Sequence, residues 1–320
     1  MNDIDKMYKL LEKEISVFSY PKTPKLLYAP IKYIMGLKAK RIRPLFLLIS
    51  YNLYKKDISN VASPALAIEF FHNFTLLHDD IMDNAPLRRG SCTVHKKWDK
   101  NIAILSGDAM MIQAYKLISQ VEPKYLKKVL DVFGNTANQV CEGQQFDMDF
   151  EVSNQVSLSE YIRMIQFKTA VLLAASLKIG AILADASEKD QNHLYEFGLN
   201  IGLAFQLKDD LLDVFGNKKF GKQTGGDILS NKKTFLYLKA LQIADGITKQ
   251  KLQDYYSTSK NSINKVNSVK SIFSQLSVDK HTVELMKSYY IKGMKHLEAV
   301  ESKNKEPLIY FANKLMNRVS

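Results

Sequence analysis

The residues best suited to chemistry lie in two similar strings, Leu77-His78-Asp79-Asp80-Ile81-Met82-Asp83 and Leu207-Lys208-Asp209-Asp210-Leu211-Leu212-Asp213. Each places carboxylates at i, i+1 and i+4. On a helix, i and i+4 share a face, so Asp79 with Asp83, and Asp209 with Asp213, point the same way one turn apart. Like charges at that spacing weaken a helix, and the macrodipole near a helix C-terminus disfavours anions further. A hard divalent cation turns the repulsion into attraction. All-oxygen ligands suit magnesium, which binds through one or two carboxylates together with substrate phosphates. The candidate metal ligands are therefore Asp79, Asp80, Asp83, Asp209, Asp210 and Asp213, with several Mg2+ ions expected. One such string is commonly a solvated helix end, but two copies inside strongly apolar helices are hard to explain as surface.

Magnitudes say what the metal would do. A diphosphate facing an aspartate at about 4 Å feels roughly 4 kcal/mol of repulsion per charge pair at an effective dielectric near 20. Bridging cations reverse that sign and stabilise charge growing on a departing diphosphate. The chemistry indicated is ionisation of a carbon–oxygen bond, whereas hydrolysis would require a positioned water and a base.

Cationic residues accompany the acidic strings. Lys38, Lys40, Arg41 and Arg43 precede Pro44 and an apolar run; Arg88-Arg89-Gly90 follows the first string; Lys222, then Lys232 and Lys233, follow the second. Arginine forks and lysine ammoniums are the usual phosphate binders. Lys168-Thr169 lies within an otherwise apolar helix, where a lysine requires an anionic partner. His72 lies seven residues before Asp79, on much the same helix face. The six histidines show no paired ligand spacing for zinc.

These residues must be positioned by helices, because the apolar residues recur at helical spacing and nothing reads as a strand. One helix is predicted from Ser63, with Ser63 as cap and Pro64 in the first turn, to about Asp83, followed by a loop marked by Pro86 and Gly90. A second begins at Ser157, where Ser157 and Glu160 have capping-box spacing, and reaches toward Asp185. A third runs from about Lys189 to Phe215, stopping at Gly216-Asn217. A glycine-rich loop spans 220–231, and shorter amphipathic helices follow from about 245. Several helices are apolar nearly all round and must be surrounded by others. The expected fold is all-α, a single helical bundle over 1–320.

Composition agrees. With 46% hydrophobic and 24% charged residues in 320, the chain is that of a globular protein. Cys92 and Cys141 are too few for a disulfide framework, which points to the cytoplasm. The N-terminus has no apolar signal segment, and the apolar stretch Val171 to Ala186, interrupted by Lys178, is short for a transmembrane span and reads as a buried helix. The net charge of +12 favours phosphorylated or other polyanionic partners. No nucleic-acid-binding motif accompanies it, so nucleic acid is not the expected partner.

Taken in order, Lys40-Arg41-Ile42-Arg43-Pro44, the first aspartate string, Leu87-Arg88-Arg89-Gly90, Leu105-Ser106-Gly107-Asp108, Lys168-Thr169, Phe205-Gln206-Leu207-Lys208-Asp209-Asp210, and Gly221-Lys222 with Gly226-Asp227 resemble the trans-isoprenyl diphosphate synthase family over about residues 37–234. The resemblance implies a bundle around a deep central cavity, faced by both aspartate motifs, in a homodimer. It implies catalytic roles for Asp79, Asp83, Asp209, Arg88, Lys168 and Lys222 at a magnesium-bound allylic diphosphate. Isopentenyl diphosphate would be held by Lys40, Arg43, His72 and Arg89, with Thr169, Gln206 and Lys232 also contacting substrate. The family's usual Gly-Gly-Lys is Leu37-Lys38-Ala39-Lys40 here, with Ala39 in place of a glycine.

Phe74 and Phe71, five and eight residues before Asp79, and the small Thr75 are the residues expected to set product length. In the family that this chain resembles, an aromatic five residues upstream makes a cavity floor, which points to a short product, geranylgeranyl or farnesyl diphosphate. A medium- or long-chain synthase is the alternative. A terpene cyclase would need no isopentenyl site and would lack the second aspartate string, and an inactive regulatory subunit would have lost one of the motifs.

Overall fold

The computed structural model describes residues 2–153, 155–216, 225–257 and 263–316. The fold is all-α. In chain order the helices are α1 (Asn2–Val17), α2 (Lys25–Gly36), α3 (Ile42–Asn52), α4 (Ala62–Met82), α5 (Val94–Lys97), α6 (Lys100–Ile118), α7 (Pro123–Val152), α8 (Leu158–Ile165), α9 (Val171–Leu183), α10 (Glu188–Phe215), α11 (Gly226–Leu229), α12 (Phe235–Ile243), α13 (Gly246–Ser257), α14 (Ile263–Gln275), α15 (Val278–Glu298) and α16 (Glu306–Met316). The chain divides into two compact units. One comprises 1–135, 175–195 and 300–308; the other comprises 136–174, 196–299 and 309–320.

The first unit is built on α3 and α4, both apolar over most of their circumference. Leu45 through Ile49 are all buried, as are Phe70, Phe71, Phe74 and Leu77. Each such side chain removed from water contributes roughly 1.5–3 kcal/mol. Two glycines set how closely helices approach. A Cβ on Gly107 of α6 would lie 2.3 Å from His78 Nε2 on α4, and one on Gly180 of α9 would lie 2.3 Å from the Leu47 carbonyl oxygen of α3. Ser50 Oγ donates to the Leu177 carbonyl at 2.6 Å, and Ser106 Oγ to that of Leu27 at 3.0 Å. The Ser-Gly pair at 106–107 thus seats α6 against both α2 and α4.

The second unit surrounds an apolar cluster that includes Tyr161, Ile165, Leu203, Leu207, Phe235 and Phe273. The predicted capping box is present: Ser157 Oγ accepts from Glu160 N at 3.2 Å, and Ser157 N donates to Glu160 Oε2 at 2.8 Å.

Three sequence expectations need correction. The helix expected to run unbroken from 157 toward 185 is interrupted by a π-turn at Gln166–Ala170 and ends at Leu183. Ser63 does not cap α4; its hydroxyl donates to the Leu117 carbonyl and to Gln120. A 3-10 turn at Ile58–Val61 runs into α4 instead, and Asp57 caps that turn by accepting from Ser59 N at 3.1 Å. The loop expected around Pro86 and Gly90 contains a small hairpin, β1 (Leu87–Arg88) against β2 (Ser91–Cys92). The stretch from 158 to 183 is long and apolar enough to cross a membrane, but 72% of its apolar window is buried inside the protein, as befits a core helix.

Candidate active site

In the first unit the chemistry gathers on the C-terminal half of α4. Asp79 and Asp80 occupy its last turn and Asp83 follows it. Arg88 on β1 reaches back to them, with its guanidinium 2.7 Å from Asp80 Oδ1 and 3.2 Å from Asp79 Oδ2. Burial pushes the Asp80 carboxyl up to about 6; Arg88 opposes this, and Asp79 and Asp83 add to it. The tight turn joining β1 and β2 places Arg89 and Gly90 at its centre with φ of +53° and +75°. Two successive positive φ values match the hairpin twist and are normally met by Asn-Gly. An arginine there costs roughly 1–2 kcal/mol, and in return its guanidinium is carried back to α4, 3.3 Å from Asn73 Oδ1.

Half-way up α4, His72 Nε2 accepts from the Arg43 guanidinium at 3.1 Å, which leaves the imidazole proton on Nδ1. Burial, followed by Arg43, Arg89, Arg88 and Arg41, holds His72 well below its ordinary value. A histidine so surrounded by guanidiniums marks a site made for an anion. Lys40 is exposed just ahead of α3. Arg41, grouped in sequence with the phosphate-binding cations, is instead structural. It is 3% exposed, and its guanidinium meets Glu69 at 2.7 Å and Glu12 at 2.9 Å.

Phe71 and Phe74 lie on the same helix, with ring centroids 5.5 Å apart; Phe71 packs on Phe133 at 5.3 Å and Phe74 on His78 at 4.9 Å. Thr75 Oγ1 donates to the His72 carbonyl at 2.8 Å.

In the second unit the π-turn carries Lys168 and Thr169. It is held between two glycines: a Cβ on Gly143 of α7 would lie 2.2 Å from Lys168 N, and one on Gly202 of α10 would lie 2.7 Å from Ala170 Cα. Widened turns of this kind recur at functional sites, where they re-aim side chains. Lys168 finds its anionic partner in Asp147, at 2.6 Å, and Lys232 approaches the same oxygen at 3.9 Å. Thr169 Oγ1 donates to Gln206 Oε1 and Gln206 Nε2 to Asp210 Oδ1, each at 3.1 Å, while Tyr161 donates to the other oxygen of Asp210. Burial, with Asp227 adding, pushes Asp210 up to about 8. Asp209 lies part-buried beside it on α10, and Asp213 accepts from Asp227 N at 3.0 Å, pinning the chain where it re-enters α11. Asp147, Lys168, Gln206, Asp210, Asp227 and Lys232 line one cavity of about 100 Å³. Lys222 lies outside the described residues.

Among the described residues no three His, Cys, Asp or Glu side chains are grouped as a protein-only metal site. The acidic donors on α4 and α10 are all carboxylate oxygens, and magnesium takes one or two of these together with waters and phosphate oxygens. Asp80 and Asp210, pushed up first by burial and then by neighbouring carboxylates, also fit a hard cation, which would favour their ionised form.

A family model described as polyprenyl synthetase matches residues 24–276. The chain belongs to the polyprenyl synthetase family. It is a prenyltransferase. It is similar to the geranylgeranyl pyrophosphate synthase of Geoglobus acetivorans, with 34% identity over 97% of this chain and 96% of that protein. It is similar to the short chain isoprenyl diphosphate synthase of Methanocaldococcus jannaschii, with 42% identity over 71% and 69% of the two. Its structure resembles the crystal structure of geranylgeranyl pyrophosphate synthetase from Pyrococcus horikoshii, with a TM-score of 0.93 at 33% identity, covering 99% of this chain and 98% of that one.

In this prenyltransferase the structure adds residues for which sequence spacing gave no role: Asp147, Tyr161, Asp227, and the pair Glu69 and Asn73. Asp147 had one available signal, the lysine inside an apolar helix that required an anion. Tyr161, Glu69 and Asn73 had none, because each meets its partner through a fold contact that periodicity does not encode.

Proposed function

We propose that this prenyltransferase condenses isopentenyl diphosphate with an allylic diphosphate by ionisation, condensation and elimination, releasing a short-chain product, geranylgeranyl diphosphate in preference to farnesyl diphosphate. The observation that carries this reading is the pairing of cations with acidic groups: Arg88 on Asp79 and Asp80, and Lys168 and Lys232 on Asp147. A diphosphate needs both, the cations directly and the carboxylates through metal.

Asp79, Asp80, Asp83, Asp209, Asp210 and Asp213 are the proposed holders of Mg2+, and Asp79, Asp83 and Asp209 are the carboxylates proposed to act in catalysis. When bound, magnesium neutralises the allylic diphosphate and stabilises the charge that grows on it as the carbon–oxygen bond breaks. Arg88, Lys168 and Lys222 bind that diphosphate, and Thr169, Gln206 and Lys232 orient it. Arg43, Arg89, Lys40 and His72 bind isopentenyl diphosphate. The neutral imidazole of His72, accepting from Arg43, holds that guanidinium in place. Phe71 and Phe74, both buried, form the floor that limits chain growth, with Thr75 beside them. The relatives named geranylgeranyl synthases support the product length.

A homodimer is supported by the exposed apolar residues Leu105, Ile112 and Tyr115, which recur on one face of α6. Cytoplasmic residence is supported by Cys92 and Cys141, both free thiols.

The test is incubation with labelled isopentenyl diphosphate, magnesium and each allylic starter in turn, followed by chromatography of the dephosphorylated products. Extension to the geranylgeranyl length is expected. Turnover of an allylic diphosphate without incorporation of label would identify a cyclase instead.

A further inference from the structure

A buried polar chain in the first unit leads from the end of α2 to the turn of the hairpin. Arg41 begins it at the N-terminus of α3, where its own φ is +47°. Its guanidinium donates to the Met35 carbonyl at 2.7 Å, to the Leu37 carbonyl at 3.1 Å and to Glu69 Oε1 at 2.7 Å. Glu69 is 1% exposed, so this guanidinium is what makes its charge tolerable. One helical turn later, Asn73 is fully buried and donates from Nδ2 to both Glu69 Oε1 and the Glu69 carbonyl, each at 2.8 Å. Those donations fix which way the amide faces, so Oδ1 is turned to accept from Arg89 Nη1 at 3.3 Å.

The arrangement has a direction. Arg41 is tied to backbone at two carbonyls, Glu69 is tied to Arg41, and Asn73 is tied to Glu69 twice. Among the described residues the Arg89 guanidinium has one hydrogen-bond partner, Asn73, and it stands on a two-residue turn whose backbone is strained at that position. An apolar side chain at 73 would fill the same space, but it would take one donor from the buried Glu69 carboxylate and the acceptor from Arg89. We propose that Asn73, locked by Glu69 and Arg41, is a positioning residue that sets the direction of the Arg89 guanidinium toward the diphosphate of isopentenyl diphosphate. This deepens the proposed function and rests on its assignment of Arg89.

The expected signature is a split between kinetic constants. Asn73→Leu, which keeps the volume and removes the chain's last link, raises KM for isopentenyl diphosphate about tenfold. It leaves kcat and KM for the allylic diphosphate within about twofold. Asn73→Asp keeps the oxygen that Arg89 donates to, and its second oxygen, when protonated, can donate to Glu69. It should restore KM to within about twofold of the parent. The decisive measurement is a double-mutant cycle with Arg89→Ala: if Asn73 acts through Arg89, the Asn73→Leu effect disappears in the Arg89→Ala background. Asn73→Ala takes its place in the cycle should the leucine variant not fold.

If Arg89→Ala raises KM for isopentenyl diphosphate but Asn73→Leu does not, or if the two effects multiply, the positioning role is wrong and the site assignment stands. If Arg89→Ala leaves that KM unchanged, the assignment of Arg89 fails and the positioning role falls with it.

Discussion

Lys168 Nζ lies 2.6 Å from Asp147 Oδ2, two side chains 21 residues apart that meet because the π-turn at Gln166–Ala170 swings the lysine toward α7. The pair is about a fifth exposed, at 24% and 16%. It therefore sits between a screened surface bridge and a fully buried one.

Asp147→Ala should lower stability by roughly 1–2 kcal/mol, less than the loss expected for a fully buried pair, because water still reaches the stranded lysine. Urea denaturation measures it. Activity should fall further than stability, with kcat/KM reduced by roughly 10- to 100-fold once Lys168 loses its aim. Unchanged kcat/KM at reduced stability would make the pair purely structural.

Gly143 and Gly246 should respond to alanine in opposite directions. A Cβ on Gly143 meets backbone at 2.2 Å, which cannot move aside without disturbing the π-turn, whereas a Cβ on Gly246 meets nothing within 4 Å. Gly143→Ala should cost about 3 kcal/mol or more. Gly246→Ala, in the first turn of α13, should stabilise by about 0.4–1 kcal/mol through a less flexible unfolded chain. Melting temperatures of the two variants check this. A harmless Gly143→Ala would mean that α7 does not approach the π-turn this closely.

The pH dependence of stability should carry a contribution from His72. Burial and the guanidiniums around it hold its folded value well below the ordinary one. The folded protein therefore stays neutral at a pH where the unfolded chain, titrating near about 6.5, takes up a proton. The stability involved is fully present above the unfolded value and is lost as pH falls below it. His72→Gln cannot titrate and still offers an acceptor to Arg43. Between about pH 7.5 and 5.5 it should lose roughly 1 kcal/mol less than the parent. Equal losses in urea midpoints would refute the assignment.

Phe74→Ala should lengthen the product by at least one isoprene unit, read by chromatography after dephosphorylation. The buried ring's removal should also cost about 3 kcal/mol. Phe71, 1% exposed and braced by Phe133, remains as the next barrier and should keep the lengthening limited. If the chain length does not change, Phe74 is core packing and the floor lies elsewhere.

The local part of the structure was legible from the residues. The i and i+4 aspartates at the end of α4 and on α10, the capping box at Ser157 and Glu160, the all-α class and the need of Lys168 for an anion all depend on neighbours within a turn or two, and periodicity and cap chemistry encode those. What only the tertiary structure decided is which distant group answers each need: Asp147 for Lys168, Tyr161 for Asp210, Glu69 for Arg41. It also decided that Arg41, in a row of cations, is the one drawn inside. The π-turn and the hairpin at Arg89-Gly90 belong there too. Both trade local backbone comfort for contacts with residues far along the chain, and a local reading of the sequence sees the cost without the contact that offsets it.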